Sequence, residues 1–83
     1  MFRLFDRYYI RSSKGNCAVP LYVASFDVMY DDVSWTTYRS NAFYTDSFGE
    51  AVGACVGLRE NEFHVQIVRR WWWFGWHEEV ERI

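Results

Sequence analysis

At 83 residues the chain has room for one domain with one core, here residues 1–83, and it lacks the length for separate substrate and cofactor domains. Half of the residues are hydrophobic and 22% are aromatic, with five Trp, six Tyr and seven Phe, so aromatic edges must reach the surface of so small a body. A net charge of −2 excludes the uniformly basic surface of a nonspecific nucleic-acid binder, and no apolar run approaches the roughly 18 residues of a membrane-spanning helix.

The charge is uneven. Residues 1–14 carry Arg3, Arg7, Arg11 and Lys14 against Asp6, whereas residues 15–50 carry Asp27, Asp31, Asp32, Asp46 and Glu50 against Arg39. A basic edge and an acidic one are therefore expected to coexist. The start Met1-Phe2-Arg3-Leu4-Phe5-Asp6-Arg7 has no continuous apolar stretch of the kind a signal peptide needs. We expect a complete short gene product in a reducing cytoplasm, with Cys17 and Cys55 as small buried hydrophobes; a single disulfide between them is the alternative.

Residues 2–11 alternate: Phe2, Leu4, Tyr8 and Ile10 fall on one face, and Arg3, Phe5, Arg7, Tyr9 and Arg11 on the other, with Asp6 interrupting the apolar side. This period of two predicts a strand. Ser12-Ser13-Lys14-Gly15-Asn16 predicts a turn. A second strand is expected from about Cys17 to Tyr30, starting near Pro20 and placing Tyr22, Ala24, Phe26, Val28 and Tyr30 on one side. Asp31-Asp32 is the next turn, and residues 33–44, rich in Trp, Tyr, Thr and Phe, predict a third strand.

The period then changes. Ser47-Phe48-Gly49-Glu50 has the form of a capping box, and Phe48, Ala51, Val52, Cys55, Val56 and Leu58 follow as one helical stripe. The spacing predicts a helix over 48–60 that ends near Asn61. A last strand is expected over 63–74, with Phe63, Val65, Ile67, Trp71 and Trp73 toward the core and His64, Gln66, Val68, Arg70, Trp72 and Phe74 away from it. Gly75 breaks that strand, leaving residues 76–83 as a helical turn or a short strand. The expected fold class is α+β: an antiparallel sheet of about four strands with one helix packed on one face, in the order β-β-β-α-β.

Two surfaces are candidates for binding. Arg69, Arg70, Trp72, Phe74 and Trp76 combine the residue types most enriched at interface hot spots; the plain alternative is that Trp72 is covered by its neighbours. Arg3, Phe5, Arg7, Tyr9 and Arg11 interleave cations with rings, a pattern that can stack bases and contact phosphates or equally form cross-strand and cation–π pairs. Gly49, Gly53 and Gly57 leave one helix face almost bare, which suits close approach of a partner element or simply marks a plain outer face.

Catalysis and cofactor binding are not expected. His64 and His77 belong to no metal-ligand spacing, His77-Glu78-Glu79 reads as a solvated tail, and Cys55 sits on the apolar side of the helix, away from the access a nucleophile needs. No phosphate loop or nucleophile elbow occurs.

The segment Tyr44-Thr45-Asp46-Ser47-Phe48-Gly49-Glu50-Ala51-Val52, followed by Phe63-His64-Val65-Gln66-Ile67-Val68, resembles the strand, capped helix, strand layout of small phage-encoded inhibitors of the anti-CRISPR type. The resemblance covers about half of the chain and implies a compact, non-enzymatic, often acidic protein that blocks a host protein complex by direct contact. A single-stranded nucleic-acid or RNA-binding module and a homodimeric structural protein are the alternative readings, distinguished by salt dependence and by oligomeric state.

Overall fold

The computed structural model describes residues 4–14, 19–27 and 32–81. Arg3, Cys17, residues 28–30 and Asp31 lie outside the described residues, with the parts of the expected strands and turns that fall on them. Among the described residues the chain forms β1 (Leu4–Ser12), β2 (Tyr22–Asp27), β3 (Asp32–Thr36), β4 (Tyr44–Thr45), α1 (Phe48–Glu60), β5 (Val65–Trp72) and β6 (Trp76–Glu81). The pairings run antiparallel in the order β3-β2-β1-β5-β6, with β4 also on β1. The α+β class and the single helix stand. The strand count and order differ from expectation: the element order is β-β-β-β-α-β-β, and six strands replace four.

Two local features account for the extra strands. The expected third strand is cut by a 3-10 turn over Arg39–Asn41, so that β3 and β4 are separate and the polar Arg39-Ser40-Asn41 forms the break. The C-terminal segment folds back on β5 as β6, pairing Arg69 with Glu79 and Arg70 with Glu78. Opposite charges facing each other across a ladder offset the poor strand propensity of Glu.

The core lies between the sheet and α1 and contains Tyr8, Ile10, Val23, Ala51, Cys55, Leu58, Val65 and Ile67. Tyr8 and Ile10 sit on the helix side of β1 as the alternation requires. Tyr9 belongs to a second cluster with Tyr22 and Ala42. Register shifts between Leu4 and Arg7 and between Val23 and Ser25 interrupt the period of two. The second separates Tyr22 from Phe26, which packs against the helix-side core instead of sharing a face with Tyr22. Trp71 and Trp73 also depart from the core expectation. Trp71 is half-buried outside the core cluster, stacked on His77 at 5.5 Å, and Trp73 has left the strand for the β5–β6 loop.

The helix starts and stops where the sequence places it. Ser47 Oγ accepts a hydrogen bond from the Glu50 backbone N–H at 3.3 Å. The reciprocal half of the box is relayed through Thr45: the Ser47 N–H donates to Thr45 Oγ1 at 3.1 Å, and that hydroxyl donates to Glu50 Oε2 at 2.7 Å. Ser47→Ala should therefore cost about 1 kcal/mol, read as a fall in thermal midpoint. Of the apolar stripe, Ala51, Cys55 and Leu58 are buried, while Phe48 and Val56 lie at its exposed flanks. Phe48 leans on Tyr8 with ring centroids 5.4 Å apart. Burial raises the pKa of the Cys55 thiol, opposed by the charge of Arg59. Cys55 is a free, buried cysteine, consistent with its expected role as a small core residue.

Gly49 and Gly53 are exposed on the outer side of α1, and a Cβ added at Gly53 would meet nothing within 4 Å. Gly53→Ala is accordingly expected to raise stability by up to about 1 kcal/mol in a denaturant melt, since Ala restricts the unfolded chain and clashes with nothing in the fold.

Candidate binding surface

The sheet face away from the main core joins the two surfaces that the sequence suggests separately. Registers along β1, β5 and β6 place Arg7, Arg70 and Glu78 in one cross-strand row, and Leu4, Trp72 and Trp76 in the next. Phe5, Arg7 and Tyr9 from β1 then line one cleft of about 200 Å³ with Arg70 and Trp76. Each group contributes to this cleft, but neither enters whole. Arg69 turns to the opposite face, where its Nε donates to Asp6 Oδ1 at 2.7 Å and its Nη2 to Asp6 Oδ2. This bidentate pair holds the Arg69 guanidinium well above its ordinary pKa, chiefly through the Asp6 hydrogen bond. It also explains why an acidic residue interrupts the apolar side of β1.

Arginine rows of this kind repel unless the charges are held apart or compensated. Here both guanidinium groups lie against rings: Arg7 lies 4.3 Å from the Tyr44 centroid and Arg70 3.7 Å from the Trp76 centroid. The side chain of Arg70 is only 12% exposed, and its Nε is buried without a hydrogen bond, although Glu78 Oε1 stands 3.4 Å away. Burial lowers the Arg70 pKa, the charge of Arg39 lowers it further, and Glu78 opposes both. Arg11 pairs with Tyr22 further along β1.

Around the cleft the surface is aromatic. Phe5 is 60% exposed, Phe74 85% and Trp76 51%, with Leu4 and Trp73 also open. Phe5 and Trp76 approach to 6.0 Å, and Phe74 contacts both Trp72 and Trp73. Trp72 itself is half-buried within the strand. Two of these exposed rings sit on backbone in the left-handed region, with φ of 54° at Phe5 and 50° at Phe74. That region disfavours bulky side chains by about 1–2 kcal/mol. The strained φ values and the half-burial of Trp72 leave no direct trace in the sequence, whereas the richness of Trp and Arg does.

A larger concavity of about 620 Å³ lies by Ser13, Arg59, Glu62 and His64, but the Arg59 Nε and Nη2 donors are already used on the Val65 carbonyl at 3.1 and 3.0 Å. No group of three or more His, Cys, Asp or Glu that could hold a metal ion occurs among the described residues, and no helix among them is long and apolar enough to cross a membrane. No family model matches the chain, and no curated protein or solved structure matches it either.

Proposed function

We propose that the chain is a non-enzymatic binding protein that engages a host protein or protein complex through the aromatic end of its open sheet face. The specific form of this reading is an inhibitor of the anti-CRISPR type, acting by direct contact in the host cytoplasm. The observation that supports it is the strained, exposed ring of Phe5 lining a cleft that holds a desolvated arginine, with a second strained, exposed ring, Phe74, against Trp72 and Trp73 at the β5–β6 loop. Folding alone favours Gly or Asn at such backbone and polar side chains at such exposure. A patch that violates both preferences around Trp and Arg has the make-up of an interface centre.

The test is capture of partners from bacterial lysate by tagged protein, with and without nuclease, read by mass spectrometry. A protein complex that survives nuclease treatment supports the reading. Recovery that disappears with nuclease transfers the surface to a nucleic acid, and steep weakening with salt would accompany it. Capture of nothing beyond the chain itself would leave self-association as the account.

A further inference from the structure

Within the cleft the local charge is out of balance. Arg7, Arg39 and Arg70 act on one neighbourhood, and among the described residues Glu78 is the single carboxylate within ion-pair distance of any of them. Glu78 fills this role poorly. It lies 3.4 Å from Arg70 Nε, leaves that atom without a hydrogen bond, and is itself 38% exposed at the side chain on the outermost strand.

The geometry points to a socket for the carboxylate of an Asp or Glu side chain presented by a protein partner, bounded by Phe5, Arg7, Tyr9, Arg70 and Trp76. This inference rests on the binding reading above and specifies the chemistry of its ligand. Guanidinium edges suit a carboxylate because their forked N–H groups match its two oxygens. Stacking on Tyr44 and Trp76 fixes both arginines from one side, so little side-chain freedom remains to be lost when an anion docks. Burial of Arg70 strengthens the attraction, since the surroundings screen it less than water does. Rings on either side exclude solvent from the pair, as around a hot spot.

The volume, about 200 Å³, suits a single side chain. A phosphodiester strand would have to continue past the cleft, along a sheet face that carries Glu78, on a chain of net charge −2. A lone carboxylate spans only the arginines and the single Glu78 beside them. Charge complementarity therefore favours an acidic protein segment over a nucleic acid.

Two capped peptides, Gly-Glu-Gly-Glu-Gly and its Gln counterpart, together with an oligothymidylate, are the probes. Each is titrated into the purified chain while the arginine Nε–H and tryptophan indole resonances are followed by NMR. Expected are saturable shifts at Arg70 and Trp76 with the Glu peptide, binding at least tenfold weaker for the Gln peptide, and a further tenfold loss of the Glu peptide in Arg7→Gln. Arg7 is the variant of choice because Arg70, in a central strand, risks the fold. Equal binding of the two peptides, tighter binding of the oligothymidylate, or no shift at Arg70 with any probe would each overturn the socket. Partner capture separates the two claims. If Trp76→Ala abolishes capture and Arg7→Gln leaves it intact, the binding surface stands and the socket falls; if neither changes capture, both fall.

Discussion

Trp76→Ala is expected to weaken partner binding about 30-fold or more while leaving the thermal midpoint within a few degrees of the parent. The indole opens β6, is half exposed, covers the Arg70 guanidinium at 3.7 Å and meets Phe5 at 6.0 Å. Its contribution to the fold is one cation–π contact and a partial ring contact, about 1 kcal/mol together. Its contribution at an interface is that of a Trp anchor, for which truncation costs about 2 kcal/mol or more. Phe74→Gly sharpens the comparison. It removes an 85% exposed ring and relieves the left-handed backbone at the same time, so binding should fall while the melting temperature stays level or rises. A fall of more than about 10 °C in either variant would reassign these rings to structural support. Trp72, the natural first choice from sequence, gives a less clean answer because it is half-buried in β5.

The second large effect is on stability. Leu58→Ala should cost about 3–5 kcal/mol and lower the midpoint by more than about 10 °C, measured by thermal or urea unfolding. Leu58 is fully buried, and α1 contributes only Ala51, Cys55 and Leu58 to the buried core. Ala51 and Cys55 are small, so Leu58 supplies most of the apolar volume by which the helix docks. A domain of this size has a total stability of about 4–12 kcal/mol. The loss of one leucine is therefore a large fraction of it, and a small effect would mean that the helix is held by its flanks, Phe48 and Val52.

The helix was readable because its signals are local: a capping serine, an acidic residue three positions later and apolar residues at three and four. What escaped was the Thr45 relay, in which a hydroxyl two residues before the cap carries the return bond. The strands were readable as strands but not as to extent or face. Each register shift adds a residue that reverses the alternation, so Tyr22 and Phe26 part company although they stand four apart. Arg39-Ser40-Asn41 offered turn-forming residues within an otherwise strand-like run, a signal that outweighs the surrounding aromatics. The acidic tail read as solvated because its strand character comes from pairing with β5, which no local propensity reports. The cleft shares that origin. Arg7 and Arg70 are distant in sequence and adjacent only because β1 and β5 pair, so two half-sites could be identified but not joined.

That pairing also has a consequence for biogenesis. β1 is the central strand, flanked by β5 along one edge and by β2 and β4 on the other, and its partner in β5 comes from the last third of the chain. The Asp6–Arg69 link closes across 63 positions. During synthesis at the ribosome, the tyrosines and isoleucine of β1 leave the exit tunnel long before the strand that covers them exists. Completion of this edge of the sheet must wait for residues 65–72, which makes it dominated by long loop closure. Until then β1 can pair only with β2 and β4 and its other edge stays open, and Arg7 and Arg11, alternating with its rings, are charges of the kind that discourage a second chain from pairing along such an edge.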